Sequence, residues 1–406
     1  LADDLTGAAE AAVACRRLGM RAVVAPAPHG DPPPTAVAVL DTNTRHSPPG
    51  AAGEAVRAGA AWLSRGGCTL LHKKTDSTLR GNIAVELSAL LDTRPEATLV
   101  YAPAFPAAGR IVRDGVLHVH GVPVARTEFH DDPLSPVRES SVPRLLHECG
   151  RHAVRQVPLD ELRSGADLAY PGGIVVVDGV CEEDLEIAAK ASRGPGFLHA
   201  GPSAFADHVA RLAPLAKVPP GQERVTGPWL VVSGSLNAVA LGQVRAAERR
   251  GARLLRLTPA DVLGPGPAQA WLEEAVDRVE RAWPERRLVV LHTALHPGDR
   301  NEYMQGAARM GLEPHAACRR LTLRLVEACV ALRDRLGRGG VLGFGGETCR
   351  MLVDQFGVRR LEALREVVRG SGVLLAQGER KLLLGTKSGG FGKEHFLEEF
   401  KKCCWE

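Results

Sequence analysis

Short apolar runs alternate with segments of helical periodicity along most of the chain. In the first half, the runs predict strands, and the segments between them carry apolar residues at helical spacing. The predicted strands are residues 21–25, 36–40, 68–71, 97–101, 154–157, 174–177 and 197–200. The predicted helices are 8–18, 53–64, 83–91 and 137–149, and residues 111–136 are interpreted as a short hairpin excursion.

The same alternation resumes after a segment without apolar periodicity. Residues 218–224 read Val-Pro-Pro-Gly-Gln-Glu-Arg, a composition typical of a linker. Beyond it, strands are predicted at 229–232, 253–257, 288–291, 340–344, 373–376 and 381–385. Helices are predicted at 237–250, 267–283, 316–336 and 348–356. We therefore predict domains at 1–218 and 229–406, joined by a linker at 219–228.

Strands that alternate with helices predict an α/β fold with mostly parallel sheets flanked by helices. A chain of 406 residues is too long for one ordinary core, so two domains are expected. In such sheets ligands bind at the carboxyl ends of the strands. The turns that follow predicted strands are therefore the places to search for chemistry.

Composition excludes several classes of function. Hydrophobic residues make up 45% of the chain and charged residues 24%, which is typical of a soluble globular protein. A net charge of +4, without a basic tract interleaved with aromatics, gives no reason to expect a nucleic-acid partner. No apolar run reaches the ~18 residues of a membrane span, so no membrane association is expected.

The cysteines and the chain start indicate a cytoplasmic protein. The nine cysteines are scattered and form no CxxC pair, which favours reduced thiols. Cys403 and Cys404 are expected in an exposed tail. The start, Leu1-Ala2-Asp3-Asp4, is not a signal peptide, and without a Met it is expected to be a first element cut short.

The stretch Lys73–Asn82 is the densest in charged and hydroxyl side chains. It follows the strand predicted at 68–71 and precedes the helix predicted at 83–91, so we expect a strand-to-helix turn. Such a turn directs backbone N–H groups and a positive dipole end at its ligand, which favours an anion. The chain has only nine lysines among 51 cationic residues, yet Lys73 and Lys74 are adjacent. The alternative is a solvated turn in which Asp76, Ser77 or Asn82 caps the helix.

Three glycine-bearing turns follow predicted strands of the second half. Glycine lets the backbone approach a phosphate and form an anion-binding nest, so three such turns in one αβ domain favour a nucleotide site. None matches GxxxxGK[ST] or a strict GxGxxG, which excludes a P-loop protein and gives no sign of a dinucleotide fold. These turns, called the glycine turns below, are residues 233–235, 343–348 and 386–392.

Acidic residues are candidates for proton transfer or for Mg²⁺. Asp3 and Asp4 precede Thr6-Gly7, and Asp76 lies in the Lys73–Asn82 turn. The alternative for Asp4 is that it caps the first helix. No set of metal ligands can be assigned from the sequence.

Seven segments, in the same order, resemble signatures of the four-carbon acid sugar kinase family, whose ADDxTGA opening matches Ala-Asp-Asp-Leu-Thr-Gly-Ala here. The resemblance covers essentially the whole chain. The segments are residues 2–8, 74–82, 103–110, 132–140, 233–235, 345–348 and 387–392.

The resemblance implies an N-terminal domain that binds a sugar acid and a C-terminal domain that binds ATP. It implies phosphorylation of a hydroxyl on a small aldonate or 3-oxo-aldonate, such as threonate, erythronate or 3-oxo-tetronate. The expected substrate-binding residues are Lys73, Lys74, Ser77, Thr78, Asn82 and Arg110. The expected nucleotide-binding residues are Gly234, Ser235, Gly345, Gly346, Glu347, Thr348, Lys387, Ser388, Gly389 and Gly390.

We hypothesise that the two domains enclose a ligand cleft and that their closure aligns the hydroxyl with the γ-phosphate of ATP. The acid would bind at Arg80 and a neighbouring lysine. Asp76, or one of Asp3 and Asp4, is the expected base, and Arg80 completes the expected catalytic set. Mg²⁺ is expected because phosphoryl transfer generally requires it.

Three alternatives remain from the sequence. The first is a kinase for another small hydroxy acid. The second is a dinucleotide-dependent dehydrogenase, although its fingerprint is absent. The third is a non-catalytic sensor of a sugar acid and a nucleotide. The identity of the acid, its stereochemistry and the oligomeric state, including a homo-oligomer, stay open.

Overall fold

The structure is a computed structural model of the 406-residue chain. The described residues are 1–132, 134–149, 151–218, 228–235, 237–264, 269–285, 288–296 and 298–405. Of the predicted linker at 219–228 only Pro228 is described, and Pro133 in one of the predicted signatures also lies outside these ranges. The chain divides into two compact units, Leu1–Pro219 and Pro220–Glu406, which we call the first and second unit.

Strands and helices alternate through the first unit. Its strands are β1 (Ala22–Ala25), β2 (Val37–Leu40), β3 (His72–Lys74), β4 (Thr98–Tyr101), β5 (Arg110–Arg113), β6 (Val116–Val119), β7 (Val122–Pro123), β8 (Val154–Val157), β9 (Ile174–Val177) and β10 (Phe197–Gly201). Its helices are α1 (Leu5–Arg17), α2 (Pro49–Arg65), α3 (Ile83–Leu91), α4 (Val142–Cys149), α5 (Leu159–Arg163), α6 (Glu182–Ala191) and α7 (Ser203–Leu212). Short 3₁₀ helices cover Pro106–Ala108, Val124–Arg126 and Glu128–Asp131.

Parallel pairing organises the strands of the first unit. One sheet has the order β3-β10-β4-β9-β8, and β1 pairs with β2. Ala2 forms parallel bridges both to Asp41, directly after β2, and to Lys74 in β3. The amide of Ala2 donates to the carbonyl of Leu40 at 2.8 Å, and the amide of Lys74 donates to the carbonyl of Leu1 at 2.7 Å. The segments that leave Ala2, β2 and β3 therefore emerge side by side.

The hairpin excursion predicted at 111–136 is confirmed as a small antiparallel sheet. Its strand order is β5-β6-β7. The amide of Val112 in β5 and that of Gly179 exchange hydrogen bonds with each other's carbonyls at 2.8 and 3.0 Å. This exchange places β5, and therefore Arg110, beside the segment that follows β9.

The second unit has the same alternation and ends in an antiparallel extension. Its strands are β11 (Trp229–Ser233), β12 (Arg253–Arg256), β13 (Val289–His292), β14 (Gly340–Phe344), β15 (Val358–Val368), β16 (Ser371–Gly378) and β17 (Lys381–Lys387). Its helices are α8 (Ala238–Arg249), α9 (Pro259–Leu263), α10 (Gln269–Ala282), α11 (Asp299–Arg309), α12 (Pro314–Leu336), α13 (Gly346–Gln355) and α14 (Phe396–Trp405). The strand order is β12-β13-β11-β14-β17-β16-β15, with parallel pairing from β12 to β17 and antiparallel pairing of β16 with both its neighbours.

Aromatic packing fixes α14 against the sheet of the second unit. The rings of Trp229 in β11 and Phe400 in α14 meet edge to face, with centroids 4.8 Å apart. Phe396 and Cys404 on the same helix are also buried in this core. Phe396, Phe400 and Cys404 follow one another at intervals of four residues, which places them on one face of the helix. The expectation of an exposed tail at Cys403 and Cys404 is therefore wrong, because the buried face of α14 includes Cys404.

The strand predicted at 68–71 is also wrong, because β3 begins at His72. Leu70 is exposed, and the pairing partner β10 reaches only His72–Lys74. Lys73 and Lys74 therefore lie on a buried strand and not on the turn. β15 was missed because three arginines and two glutamates among its eleven residues obscure the alternation of apolar and polar positions. In the structure it forms a long antiparallel ladder with β16.

No helix in the described part of the chain is long and apolar enough to span a membrane.

Candidate active site

Three segments that leave adjacent strands bring charged side chains together in the first unit. Asp3 and Asp4 follow the bridging residue Ala2, Arg45 lies in the loop after β2, and Asp76 follows β3. The amide of Arg45 donates to the carbonyl of Asp3 at 3.1 Å, which fixes this loop beside the acidic pair. Parallel strand pairing thus gathers residues that are far apart in the sequence.

Arg45 joins three carboxylates. Its Nε and Nη2 donate to the two oxygens of Asp3 at 2.9 and 3.0 Å. Its Nη1 donates to Asp4 Oδ2 at 2.8 Å, and its Nη2 lies 3.7 Å from Asp76 Oδ2. Burial alone would lower the pKa of Arg45, but the carboxylates of Asp3, Asp4 and Asp76 raise it well above its ordinary value.

Arg80 forms a second bridge around Asp76. Its Nε and Nη2 donate to the two oxygens of Asp76 at 3.2 and 2.8 Å. Its Nη1 donates to Asp132 Oδ2 at 3.2 Å, and its guanidinium lies over the ring of Phe129. We call these linked residues the charge cluster: Asp3, Asp4, Arg45, Asp76, Arg80 and Asp132.

Asp76 is held as a fixed negative charge. Burial alone would raise its pKa, but the guanidinium groups of Arg80 and Arg45 hold the pKa well below its usual range. Its Oδ1 also accepts hydrogen bonds from the amide of Thr78 at 2.9 Å and from the Thr78 hydroxyl. Hydrogen bonds to the ionised form make a carboxylate a weak proton acceptor, so this geometry favours an electrostatic role for Asp76 over that of a general base.

Asp4 has the capping role considered from the sequence as well as its bond to Arg45. Its Oδ1 accepts the amide of Gly7 at 2.8 Å, at the start of α1. Burial would raise the pKa of Asp4, but Arg45 and Lys74 lower it. A Cβ on Gly7 would lie 2.6 Å from Asp4 Oδ1 and 2.7 Å from Lys74 Nζ, so a larger residue here would displace the two side chains that converge on it. Lys74 Nζ also lies 3.8 Å from Glu10 Oε2.

The prediction that Lys73 binds substrate conflicts with its position. Its side chain is fully buried, and its Nζ lies 2.9 Å from Oε2 of Glu86 on α3, which is equally buried. The Thr44 hydroxyl donates to the other oxygen of Glu86. The ammonium group therefore neutralises an interior carboxylate.

The other predicted substrate-binding residues surround the charge cluster. Ser77 and Thr78 are buried in the turn between β3 and α3. Asn82 occupies the N-cap position of α3, but its side chain makes no capping bond, because its Nδ2 donates to the carbonyls of Thr44 at 2.9 Å and Ser47 at 2.8 Å. It therefore ties the turn to the loop after β2. Arg110 begins β5; burial lowers its pKa, and the charge of nearby Asp76 opposes this.

The glycine turns meet at one edge of the sheet in the second unit. β11, β14 and β17 are neighbours, and their parallel register pairs Ser233 with Phe344 and Phe344 with Lys387. Each strand leads into one glycine turn. A Cβ on Gly389 would lie 4.0 Å from Ser235 Oγ, so the first and third turns are adjacent. Gly234 and Ser235 are therefore beside the Ser388–Gly390 backbone.

The middle glycine turn opens α13. Gly345 has φ +94°, a left-handed conformation that favours glycine, and α13 begins at Gly346. Glu347 is exposed in the first turn of the helix, whereas Thr348 is buried. The unpaired N–H groups at the start of a helix favour an anion, and the tight turn gives a ligand access to them.

Lys387 is a buried lysine beside these turns. Its Nζ donates to the carbonyls of Ser388 at 3.1 Å and Gly389 at 2.9 Å. It lies 4.8 Å from the ring centroid of Phe344 and 5.7 Å from that of Phe396, within the range of a cation–π contact. Burial lowers its pKa to about 7. Its charge is therefore adjustable near neutral pH.

Gln243 on α8 holds the end of the third glycine turn. Its Nε2 donates to the carbonyls of Phe391 at 3.1 Å and Lys393 at 3.0 Å. Gly392 between them has φ +83°. The buried amide thus helps to fix the end of this turn.

The described residues contain no group of three or more His, Cys, Asp or Glu side chains that could hold a metal ion. Mg²⁺ in nucleotide sites is commonly bound by phosphates, waters and one or two carboxylates. Exposed Glu347 at the start of α13 fits such a carboxylate. The carboxylates of the charge cluster fit less well, because they are bound to arginines.

Sequence reasoning missed Arg45 and Asp132, which complete the charge cluster. Arg45 lies in a polar stretch directly after the strand predicted at 36–40, so the rule that selected the other turns applies to it equally. Asp132 lay within a recognised signature without an assigned role. Its Oδ1 accepts the amides of Leu134 at 3.0 Å and Ser135 at 2.8 Å, an arrangement that sequence alone does not indicate.

Comparison with known proteins defines the class. Residues 1–209 match a family model described as a sugar-binding N-terminal domain, and residues 230–397 match one described as a nucleotide-binding C-terminal domain. These matches define an α/β protein that combines a sugar-binding domain with a nucleotide-binding domain. The chain belongs to the four-carbon acid sugar kinase family.

Relatives along the full chain agree with this membership. A D-threonate kinase from Bordetella bronchiseptica is 33% identical, over 98% of this chain and 95% of its own length. A 3-oxo-tetronate kinase from Methylobacterium radiotolerans is 30% identical, over 98% of this chain and 96% of its own length. A crystal structure of a Haemophilus influenzae protein has the same fold, with a TM-score of 0.76 at 23% identity and 99% coverage of both chains.

Proposed function

We propose that this protein is an ATP-dependent kinase that phosphorylates a hydroxyl of a four-carbon sugar acid of the threonate, erythronate or 3-oxo-tetronate class. The observation that carries the proposal is the convergence of three glycine turns at one sheet edge of the unit matched as nucleotide-binding. The unit matched as sugar-binding holds the charge cluster. The named activities of the relatives supply the substrate class.

The nucleotide is assigned to the second unit. The phosphates of ATP bind the backbone N–H groups of the glycine turns, at Gly234, Gly345–Gly346 and Ser388–Gly390. Ser235, Thr348 and Lys387 provide the side chains at the same edge. Glu347 is the carboxylate assigned to Mg²⁺, which, when bound, neutralises phosphate charge and orients the transferred group.

The sugar acid is assigned to the first unit, at the charge cluster and the turn that carries Ser77 and Thr78. Asp76 and Arg80 are placed next to the reacting hydroxyl as a preorganised ion pair. Arg80 offers positive charge to the transferred phosphoryl group, and Asp76 orients the hydroxyl and the arginine. Asp3 and Asp4 complete this arrangement through Arg45.

Positioning and charge supply most of the rate in this proposal. Phosphoryl transfer through a loose transition state needs little help from a base, and fixed charges need no reorganisation during the reaction. This agrees with the depressed pKa of Asp76, which makes the carboxylate a constant feature of the site at neutral pH. In this proposal, domain 1–218 binds the sugar acid that accepts the phosphoryl group, and domain 229–406 binds the ATP that donates it.

An ADP-release screen tests the proposal. Wild-type protein with ATP and Mg²⁺ is expected to release ADP with at least one of the threonate, erythronate and 3-oxo-tetronate stereoisomers, and not without an acid. ADP release only with other hydroxy acids would reassign the substrate. Binding of ATP and of acids without any ADP release would instead favour a sensor, and oxidation of an acid with NAD(P) would favour a dehydrogenase.

A further inference from the structure

A cavity of about 250 Å³ lies in the first unit, directly beside the charge cluster. Arg45 and Gly81 belong to its wall, and so does Leu79. Leu79 has φ +62° and Gly81 φ +90°, so the turn between β3 and α3 is held in a left-handed conformation where it borders the cavity. A non-glycine residue in this region stores strain, which is typical of ligand-binding turns.

The arginines of the charge cluster are poor receptors for the carboxylate of an acid. Each of the three guanidinium nitrogens of Arg45 donates a hydrogen bond to Asp3 or Asp4. The corresponding nitrogens of Arg80 are bound to carboxylates as well. Within the cluster, four carboxylates already balance the charge of the two guanidinium groups. The carboxylate of a substrate is therefore better received by another cation.

Arg138 is that cation. It lines the same cavity and is exposed. Its side chain makes no hydrogen bond or ion pair with any residue in the described ranges. A guanidinium group offers a planar fork of donors that matches a carboxylate at two points. Unlike Arg45 and Arg80, it has this fork available.

His46 and Ser135 are polar residues of the cavity wall that can form hydrogen bonds with the hydroxyls of a ligand. His46 Nδ1 lies 2.8 Å from Ser135 Oγ, and both residues line the cavity. Burial, and then the charge of Arg45, lowers the pKa of His46. A neutral imidazole and a hydroxyl can each donate and accept a hydrogen bond, as the hydroxyls of a sugar acid do.

Ser135 also connects the cavity to the charge cluster. Its amide donates to Asp132 Oδ1 at 2.8 Å, and the other oxygen of Asp132 accepts Arg80 Nη1 at 3.2 Å. A ligand in the cavity is therefore adjacent to the ion pair that the proposed function places at the reacting hydroxyl.

We propose that Arg138 binds the carboxylate of the sugar acid and that His46 and Ser135 bind its hydroxyls, so that these three residues determine substrate specificity. This inference rests on the proposed function and revises the expectation that Arg80 and a lysine hold the carboxylate. It requires the substrate to be an anion and assigns selection among stereoisomers to the His46–Ser135 pair.

Arg138→Ala, Arg138→Lys and the control Arg193→Ala test it. Arg193 is an exposed arginine of the same unit and lies outside the cavity wall. We expect Arg138→Ala to raise the KM for the acid by on the order of 10- to 100-fold, the range for a lost hydrogen bond to a charged group, with the KM for ATP unchanged. Arg138→Lys should recover part of the loss, because it keeps the charge without the fork.

Specificity provides a second readout. In Arg138→Ala the preference of kcat/KM for the acid over the corresponding uncharged polyol should collapse. Ser135→Ala should change the relative kcat/KM of threonate and erythronate by about 2- to 10-fold, the scale of a lost neutral hydrogen bond. Arg138→Ala values equal to those of Arg193→Ala would overturn the inference while leaving the proposed function intact.

Calorimetric titration of the same acids into wild type and Arg138→Ala does not depend on turnover. Acid binding that is lost in Arg138→Ala supports the inference even if no ADP is formed, in which case only the proposed function fails. Equal binding by the two proteins contradicts the inference. A wild-type protein that binds none of the acids contradicts both.

Discussion

The guanidinium group of Arg80 binds the carboxylate of Asp76 at two points, with Nε 3.2 Å from Oδ1 and Nη2 2.8 Å from Oδ2. Each residue also has a second charged partner. Arg45 Nη2 lies 3.7 Å from Asp76 Oδ2, and Arg80 Nη1 donates a hydrogen bond to Asp132. The pair is therefore part of a fixed array of charges. Its proposed task is to hold the acceptor hydroxyl and receive the charge that develops on the transferred phosphoryl group.

Removing either member should stop most turnover. We expect Asp76→Ala and Arg80→Ala each to lower kcat by at least ~100-fold, the usual scale for a lost charge-stabilising group. The measurement is steady-state ADP formation with a saturating acid. Glu186→Ala is the control, because Glu186 pairs with Lys190 on the surface of α6 at 2.5 Å and should leave kcat unchanged. Near-normal ADP formation by both cluster variants would remove them from the catalytic set.

The buried pair of Lys73 and Glu86 should affect stability more than activity. Lys73→Met leaves Glu86 without its cation and should reduce the free energy of unfolding by about 3–5 kcal/mol. Adding Glu86→Leu should restore a large part of the loss, because the uncompensated charge disappears. Urea unfolding of the two single variants and the double variant measures this coupling. If Lys73→Met kept its stability and lost only affinity for the acid, Lys73 would instead be a substrate ligand.

The pH dependence of nucleotide binding should report the protonation of Lys387. Burial lowers its pKa to about 7, and bound phosphates favour its charged form, so binding above that pH takes up a proton. We expect the affinity for ATP to fall as pH rises above about 7, by at most about tenfold per pH unit for one linked proton. Calorimetry in buffers of different ionisation enthalpy measures the uptake directly. Lys387→Met should bind ATP more weakly at neutral pH and show little of this pH dependence.

The free protein should show the opposite trend in stability. Between about pH 7 and the ordinary lysine pKa of about 10.4, the unfolded state binds more protons at Lys387 than the native state does. Its contribution therefore favours folding increasingly as pH rises through this window. The difference in unfolding free energy between wild type and Lys387→Met isolates the effect. A difference that does not change with pH would mean that Lys387 titrates normally.

The edge-to-face contact of Phe400 with Trp229 should anchor α14. Phe400→Ala removes a buried ring and should cost about 3–5 kcal/mol of stability. Lys402→Ala, an exposed position on the same helix, should change stability by less than ~0.5 kcal/mol. Thermal and urea unfolding compare them. Equal stability of the two variants would show that the C-terminal helix is not part of the core of the second unit.

Local sequence patterns predicted much of the fold because the periodicity of α3 and the apolar runs of β4, β9 and β14 are local properties. The glycine turns were also visible, since each follows such a strand. The strand at β3 was misplaced because its position depends on pairing with Ala2 and β10, not on its own hydrophobicity. Charged residues on a strand become acceptable only when Glu86 and Glu10, distant in sequence, neutralise them.

The candidate site was predictable in its parts and not in its connections. Asp3, Asp4, Asp76 and Arg80 could be selected as polar residues at strand ends. Arg45 satisfies the same rule, but its links to these residues became evident only when the bridges of Ala2 to Asp41 and Lys74 set the strand order. The depressed pKa of Asp76 likewise follows from contacts with two arginines, one of them distant in sequence, and this changes its expected role from base to fixed charge.

The central claim, transfer of a phosphoryl group from ATP to a four-carbon sugar acid, is tested most directly by identifying the product. Mass spectrometry and ³¹P NMR of a reaction with ATP, Mg²⁺ and the acid selected by the ADP screen should show a phosphorylated acid, formed one for one with ADP by wild type and reduced at least ~100-fold in Arg80→Ala. ADP formed with inorganic phosphate and no phosphorylated acid would contradict the claim.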